Sequence, residues 1–244
     1  MRLRKGKIFK TITVATDVAM LLVVVVGCIF LRHSVLNVNL DRNEFPVKGI
    51  DISHHNGKIN FDAVKSDSVR FVIIKATDGV GDYDSCLVRN YTGAKNSGLD
   101  VGVYHYFRFH RDGHSQADYL LSTLDSFGVN VDLPIAIDIE HKNNSFYDVR
   151  TITRNIRDMV NDLRKAGYRA MIYVNLNEYS TFIQRDFKDV DLWLASSRFP
   201  NDTINQRILW QHSHQGRVTG VEGDVDLNTF NGTSDQYHQW VSIK

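Results

Sequence analysis

Eight short apolar segments with strand character recur between residues 48 and 227, and they constrain the fold more than any other feature of the chain. Stretches with helical periodicity lie between most of them. Alternation of strand and helix predicts a parallel sheet, and eight strands predict that the sheet closes into a barrel. The last three segments leave little room for helices between them, so we expect the regular pattern to degrade there. The eight predicted strands are Lys48–Ser53, Phe71–Ala76, Val101–Phe107, Pro134–Glu140, Ala170–Val174, Leu192–Ala195, Ile208–Gln211 and Val225–Leu227.

Two of the connecting stretches carry an apolar stripe at helical spacing. The first stripe consists of Ala117, Leu120, Leu121, Leu124 and Phe127. The second consists of Val149, Ile152, Ile156, Met159, Val160 and Leu163. Gly98 and Gly167 follow helical stretches at the position where a left-handed C-terminal cap is expected. The chain from residue 47 onward is long enough for one large domain whose core needs no disulfide bond.

The fourth predicted strand ends in two carboxylates spaced two residues apart, Asp138 and Glu140. Alternate residues of a strand point to the same face, so these acids face one way while Ile137 and Ile139 face the other. Burying an unpaired carboxylate is costly, so a purely structural strand has little reason to carry two. A close pair can have its pKa values pushed apart, as glycoside hydrolysis requires. The alternative is a solvated strand end whose acids cap the next helix.

Polar and aromatic side chains end the other predicted strands as well, at the rim where barrel enzymes carry their chemistry. Four acids interspersed with aromatic and amide side chains describe a carbohydrate site. Carboxylates would act on the glycosidic bond, aromatic faces would pack on sugar rings, and amides would bind hydroxyl groups. Each aromatic residue taken alone is more often a packing residue, so the combination carries the argument. The rim residues are Asp51, Tyr104, Tyr106, Asp138, Glu140, Tyr173, Asn175, Trp193, Gln211 and Asp226.

Six motifs follow one another along the chain: Gly49–His55, Phe71–Thr77, Tyr104–Phe107, Asp138–Glu140, Trp210–Gln211 and Gly223–Asn228. Together and in this order they resemble the glycoside hydrolase family 25 lysozymes, the Chalaropsis-type N-acetylmuramidases. The resemblance covers residues 47–230. Small departures affect fine substrate contacts: Asp78 stands where the family often has Glu, Phe61 where Trp is common and Asn56 where Gln is common.

The resemblance implies a modified TIM-type (β/α)5(β)3 barrel that cleaves the β-1,4 bond between N-acetylmuramic acid and N-acetylglucosamine in peptidoglycan. It implies that Glu140 is the general acid and that Asp138 is its partner, supporting attack by the acetamido group of the substrate. Asp51 and Asp226 complete the acidic floor. From the residues alone, a direct nucleophile, an activated water and substrate assistance all remain open. The residues expected to bind substrate are Tyr104, Tyr106, Tyr173, Trp193 and Gln211.

The N-terminal region predicts a membrane anchor. Residues 1–11 carry five basic side chains and no acid, and residues 12–31 form an apolar run close to the roughly 20 residues that a membrane-spanning helix needs. The basic flank predicts a cytoplasmic N-terminus and an exported domain, and Asp17 would lie at headgroup level. Residues 32–46 are expected to be a polar tether and 47–244 the catalytic barrel. The alternative is a bacterial lipoprotein that is cleaved before Cys28. Residues Val25–Cys28 have the outline of such a cleavage site.

Other classes of function receive less support from the sequence. A net charge of +1 gives no hint of nucleic-acid binding, and a monomer without a cofactor is expected. His54 and His55 are adjacent, so on a strand their rings would diverge rather than share a metal. Cys86 is the remaining cysteine beside Cys28, so the exported part should have no internal disulfide. Two alternatives stay open: an exported barrel hydrolase acting on another N-acetylated glycan, and a non-catalytic glycan-binding protein.

Overall fold

The computed structural model describes two units of the chain. In the first unit, Met20, Leu21 and Val23 are helical and exposed. Among the described residues, no helix is both long enough and apolar enough to cross a membrane. Apart from those three residues, the predicted span 12–31 lies outside the described part, as do the basic tail 1–11, Cys28 and most of the predicted tether. In the second unit the described residues are 40–142, 144, 148–196, 198, 204 and 207–243.

The second unit is built around a closed barrel of eight strands, in agreement with the fold predicted from the sequence. Strand β1 pairs with β2 on one side and with β9 on the other, which closes the sheet. A short extra strand, β3, pairs antiparallel with the end of β2 outside the barrel. The strands are β1 (Lys48–Ile52), β2 (Val69–Asp78), β3 (Asp82–Tyr83), β4 (Asp100–Tyr106), β5 (Ile135–Asp138), β6 (Ala170–Asn175), β7 (Asp191–Ala195), β8 (Arg207–Gly216) and β9 (Val225–Phe230).

Helical segments follow the first five barrel strands, and the last three strands lack helices between them in the described residues, as expected. Both predicted stripes lie on helices, except that Phe127 of the first stripe caps the end of its helix and is exposed. Gly98 and Gly167 have the predicted left-handed conformation, with φ of 72° and 87°. The helices are α1 (Phe61–Ser66), α2 (Leu87–Asn96), α3 (Gly113–Ser126), α4 (Val149–Lys165), α5 (Leu176–Glu178), which continues as a π-helical turn (Tyr179–Ile183), and α6 (Ser234–Ser242).

The last barrel strand departs from the predicted parallel arrangement. Strand β9 is antiparallel to both β8 and β1. Residues 217–224 connect β8 to β9, and a connection this short allows a hairpin but not the crossover of a dozen or more residues that parallel strands need. Asp226 therefore lies near the beginning of its strand rather than at its end, yet still reaches the rim where the parallel strands finish.

Alternation along the strands divides the core into two layers. Outward residues such as Ile50, Ile74 and Ile137 pack beneath the helices. Inward residues fill the barrel, and helix α6 closes its lower end, where the parallel strands begin. Tyr237 of α6 packs 5.9 Å from the ring of Phe71 and donates a hydrogen bond of 2.9 Å to Asp100, the first residue of β4. The inward residues include Phe71, Ile73, Ala136, Met171, Trp193, Leu209 and Phe230.

The segment before β1 packs against the outside of the barrel. Phe45, within the predicted tether, is buried, and its ring lies 5.7 Å from that of Trp210 on β8. The backbone carbonyl of Phe45 accepts a hydrogen bond from Arg42. The chain is therefore already in contact with the barrel before the first strand begins.

Candidate active site

A cleft of about 560 Å³ opens at the end of the barrel where the parallel strands finish. The carboxyl ends of parallel strands meet at this edge, so side chains far apart in sequence converge there. Asn175, one of the ten predicted rim residues, instead caps helix α5 with its side chain. The other nine line the cleft: Asp51, Tyr104, Tyr106, Asp138, Glu140, Tyr173, Trp193, Gln211 and Asp226.

The two acids of the fourth predicted strand share the cleft face. Asp138 is the last residue of β5, and Ile137 and Ile139 are buried in the outer layer, as the alternation predicted. Asp138 is buried, whereas Glu140 is partly exposed at the mouth of the cleft. The next helix, α4, is capped by Asp148 rather than by either acid. The alternative in which these acids cap a helix is therefore wrong.

Burial makes both acids hold their protons more tightly than free side chains do. It raises the pKa of Asp138 well above its ordinary value; Glu140 and Asp51 raise it further, and Lys75 opposes them. Burial also raises the pKa of Glu140, against the effect of Lys142. Within the described part of the chain, Oδ1 of Asp138 has no hydrogen-bond partner. A carboxyl group that keeps its proton to higher pH than a free side chain, within reach of a ligand, can act as a general acid.

Asp51, at the end of β1, is held by two amide side chains. Its Oδ2 accepts hydrogen bonds from Gln211 Nε2 at 2.8 Å and from Asn228 Nδ2 at 2.7 Å. Burial and the nearby Asp226 raise the pKa of Asp51, while these two hydrogen bonds oppose the shift. Asp138 is buried and Asp51 is partly exposed in the cleft, and of the two Asp51 is the one with fixed donors.

Three of the five residues predicted to bind substrate form the floor of the cleft. Trp193 donates from Nε1 to Asn228 at 2.8 Å, and the Tyr173 hydroxyl donates to Gln211 at 2.7 Å. Both residues and Gln211 are buried, so their polar atoms belong to the floor of the cleft. Tyr104 is partly exposed there.

Tyr106, the fifth of these residues, donates its hydroxyl to the backbone oxygen of Lys142. The cationic groups of Lys75 and Arg108 lie 5.2 Å and 4.8 Å from the centre of its ring. Nζ of Lys75 also donates a hydrogen bond of 3.1 Å to Asp78. That all five of these residues contact substrate stays a prediction.

Asp226 is paired with a histidine that the sequence reasoning missed. His214 Nδ1, on β8, lies 3.3 Å from Asp226 Oδ1, on β9, and both residues line the cleft. The hydrogen bond to Asp226 raises the pKa of His214, and burial opposes that shift. While His214 is protonated, it offsets one negative charge of the acidic cleft.

Other residues of the site also escaped prediction. Lys75, Lys142 and Asp224 line the cleft, and Asn228 supports its floor. Lys75 could have been found, because it continues the inward series of Phe71 and Ile73 on a strand where an apolar residue would be expected. Asp224 and Asn228 belong to the motif Gly223–Asn228, but no role was predicted for them, and no sequence signal marks Lys142.

The backbone after Glu140 is fixed by side chains from neighbouring elements. Asn144 donates to the carbonyl of Glu140 at 2.7 Å and to that of Phe107 at 3.1 Å. Glu178 on α5 is buried and lies 2.7 Å from Nδ1 of His141. These contacts tie the residues around the acid to β4 and to α5.

The prediction for His54 and His55 was wrong. Strand β1 ends at Ile52, and the two histidines lie in a 3₁₀ turn, so their rings do not diverge but sit 3.9 Å apart. Nδ1 of His54 lies 2.7 Å from Oδ2 of the buried Asp84, which anchors this turn at the rim. Across the described residues, no group of three or more His, Cys, Asp or Glu side chains is arranged to hold a metal ion.

Comparison with known proteins gives a consistent result. Residues 50–221 match the family described as Glycosyl hydrolases family 25. The chain is 35% identical over 185 residues to the autolytic lysozyme of Clostridium acetobutylicum, covering 75% of this chain and 56% of that protein. It is 36% identical over 208 residues to lysozyme M1 of Streptomyces globisporus, covering 77% of this chain and 69% of that protein.

The fold agrees with these sequence matches. The structure superposes on the crystal structure of the bacterial lysozyme from Streptomyces coelicolor with a TM-score of 0.71 at 30% identity, covering 80% of this chain and 96% of that one. The chain thus spans nearly all of one solved lysozyme but little more than half of the clostridial relative.

Proposed function

Because the chain belongs to glycosyl hydrolase family 25, we propose that it is a peptidoglycan hydrolase of the lysozyme type. Its reaction is hydrolysis of the β-1,4 bond between N-acetylmuramic acid and N-acetylglucosamine. The observation that carries this proposal is the pair Asp138 and Glu140, which face one cleft with their pKa values raised. The lysozymes that this chain resembles support the choice of peptidoglycan over other N-acetylated glycans.

Glu140 is the general acid in this proposal. It is partly exposed at the mouth of the cleft, where a glycosidic oxygen can reach it, and burial keeps it protonated to higher pH than a free glutamate. Its proton passes to the leaving oxygen as the bond from that oxygen to C1 of muramic acid breaks. The hydroxyl group of a water molecule ends on C1, and the proton of that water restores the acid.

The other acids stabilise the sugar as positive charge develops on it. A transition state of oxocarbenium type gains from negative charge held close to C1. Asp51 and Asp226 line the same cleft as Glu140 and can supply that charge, while Asp138, which holds its proton more tightly than a free aspartate, can donate a hydrogen bond. The partly exposed Tyr104 offers an aromatic surface to a sugar ring.

Mass spectrometry of muropeptides tests the proposed reaction. Purified full-length protein, kept in detergent, is incubated with peptidoglycan sacculi and, in parallel, with chitin. We expect new reducing ends on muramic acid and no products from chitin. Reducing ends on glucosamine, or cleavage of chitin alone, would assign a different glycosidase. Binding to sacculi without any product would make the protein a glycan-binding module.

We further propose that the barrel acts outside the cytoplasm, tethered to a membrane by residues 12–31. The motive is the basic flank followed by the apolar run, together with a substrate that lies outside the membrane. In the alternative, lipid chains on Cys28 hold the protein after cleavage. Both arrangements place the barrel on the side of the cell wall.

A further inference from the structure

Asp51 and Asp138, two acids of the cleft, differ in their surroundings, and Asn228, which lies outside the cleft lining, contributes to the difference. Oδ2 of Asp51 accepts two hydrogen bonds, whereas Oδ1 of Asp138 accepts none from the described residues. Donors to a carboxylate favour its ionised form, and a buried carboxylate without donors favours the protonated form. The two acids should therefore lose their protons in a definite order.

The orientation of Asn228 is fixed by a tryptophan. An indole nitrogen can donate but not accept, so the atom of Asn228 that lies 2.8 Å from Trp193 Nε1 must be the amide oxygen. The amide nitrogen then points to Asp51, at 2.7 Å. Asn228 is fully buried, so water does not compete for these contacts. If the amide were flipped, its nitrogen would face Trp193 Nε1 and its oxygen would face the carboxylate of Asp51, so neither hydrogen bond could form.

Gln211 repeats this arrangement on the neighbouring strand. Its Oε1 accepts from the Tyr173 hydroxyl at 2.7 Å, and its Nε2 donates to the same oxygen of Asp51 at 2.8 Å. Two amides, each oriented by an aromatic donor, thus converge on a single carboxylate oxygen. This arrangement stabilises a negative charge on that oxygen more than it stabilises a neutral carboxyl group.

We propose that Asn228 is a positioning residue which, with Gln211, holds Asp51 as the standing anion of the cleft while Asp138 remains the neutral acid. This inference rests on the proposed function for its chemical meaning. During hydrolysis, the fixed anion faces the positive charge that develops on the sugar ring, and its donors need no reorientation at that moment. Asp138 keeps a proton with which it can donate a hydrogen bond to the substrate.

The charged groups around Asp51 do not remove the distinction. Burial and then Asp226 on β9 raise the pKa of Asp51, whereas its two amide donors and His214 on β8 lower it. Asp138 on β5 and Lys75 on β2 line the same cleft, and Lys75 lowers the pKa of Asp138. The two amide donors act on Asp51 and have no counterpart at Asp138 among the described residues.

The test is a carbon-13 NMR titration of full-length protein labelled at the aspartate carboxyl carbons. The signals of Asp51 and Asp138 are assigned by their loss in Asp51→Asn and Asp138→Asn. In the wild type we expect Asp51 to ionise at lower pH than Asp138. Asn228→Asp keeps the acceptor for Trp193 but replaces the donor to Asp51, so the midpoint of Asp51 should rise by about one pH unit or more.

Asn231→Asp is the matched control, because Asn231 follows the same strand and donates to Arg207 rather than to a cleft residue. It should leave the Asp51 midpoint unchanged. If Asn228→Asp fails to fold, Asn228→Ala removes the same donor without adding charge and should shift the midpoint in the same direction. Ionisation of Asp138 before Asp51 in the wild type, or an unchanged Asp51 midpoint in the Asn228 variants, would overturn the proposal.

Kinetics separate a positioning role from a merely structural one. The Asn228 variants should lower kcat more than they raise KM, and the acidic limb of the kcat/KM profile should move to higher pH. A loss of stability alone would leave that limb in place and would count against the proposal. The NMR titration does not require turnover, so an absence of muramidase activity would refute the proposed function without affecting the test of Asn228.

Discussion

At the scale of single residues, four of the carboxyl groups that line the cleft differ in their partners. Asp51 accepts from two amides, and Asp226 pairs with His214. Asp138 is buried with one oxygen unpartnered among the described residues, and Glu140 is partly open to solvent. Because the surroundings of a carboxyl group set its protonation, these four acids should not substitute for one another.

The general acid gives the most direct prediction. Glu140→Gln keeps the shape of the side chain and removes its transferable proton, so we expect activity on sacculi to fall about 10²–10⁴-fold. The thermal unfolding curve should stay close to that of the wild type. Glu222→Gln changes an exposed glutamate in the β8–β9 connection and serves as control. Near-normal clearing of sacculi by Glu140→Gln would remove Glu140 from its role.

Asp138 should lower the free energy of unfolding at neutral pH. Its pKa is raised in the folded protein, so the folded state still holds this proton where the unfolded chain, with a pKa of about 3.9, has released it. The stabilisation is therefore complete below the unfolded pKa and is lost as the pH rises through the folded pKa. Asp138→Asn escapes that loss, so its Tm should exceed that of the wild type increasingly as pH rises.

Melting curves at about pH 4 and about pH 8 would show this trend. Each 1 kcal/mol of stability corresponds to roughly 2–4 °C in a domain of this size. Asp118→Asn, at an exposed position of α3, should show no such pH dependence. If the Tm difference between Asp138→Asn and the wild type did not change with pH, Asp138 would have the same pKa in the folded and unfolded states, against this prediction.

At the scale of elements, helices α3 and α4 approach so closely that one position admits no side chain. A Cβ atom on Gly113, the first residue of α3, would lie 1.8 Å from the backbone oxygen of Asn155. We expect Gly113→Ala to destabilise the protein by about 1–3 kcal/mol through overpacking, measured by denaturant unfolding. Ser122→Ala, on the exposed face of the same helix, is the control. Equal stability of the two variants would show that the helices can move apart at little cost.

The elements that sequence reasoning located correctly are those with a local signal. The alternation of Ile137, Asp138, Ile139 and Glu140 fixes their faces within a few residues, and helical stripes do the same for α3 and α4. The conformation of the His54–His55 turn was missed, because adjacency alone does not show where a strand ends. Strand β9 is antiparallel because the connection from β8 is too short for a crossover, and the length of that connection is known only from the strand bounds in the structure.

The hydrogen bonds that hold the cleft residues in place could not be predicted from the sequence. Gln211 and Asp51 are separated by 160 positions, Asn228 and Asp51 by 177, and Trp193 and Asn228 by 35. Barrel closure brings these residues together, and no spacing rule encodes such pairs. The composition of the rim predicted a carbohydrate site, whereas the hydrogen bonds that distinguish Asp51 from Asp138 needed coordinates.

At the scale of the whole molecule, the way in which the barrel is held decides where it can act. If residues 12–31 span the membrane, the thiol of Cys28 is not required for retention. We then expect intact protein to retain its N-terminal residues, and Cys28→Ser to leave membrane fractionation unchanged. A reporter that is active only outside the cytoplasm, fused after Lys244, should be active.

Two outcomes would change this view of the anchor. A mature N-terminus at Cys28, or loss of precursor processing in Cys28→Ser, would establish lipid anchoring, since residues 29–31 are far too short to span a bilayer. Reporter activity in the cytoplasm would contradict both the topology and the action on the cell wall. Mass spectrometry of the intact protein distinguishes the first outcome from an uncleaved span.

The floor of the barrel has a consequence for how a long polymer is handled. Trp240 of α6 packs 5.5 Å from Phe230, and its Nε1 donates to Asp191, the first residue of β7, so the lower end is sealed. The mouth thus leads to a dead end, and a glycan strand must lie across it instead of being threaded through. Because these described residues close the floor, both halves of a cleaved strand must leave by the mouth through which the strand was bound.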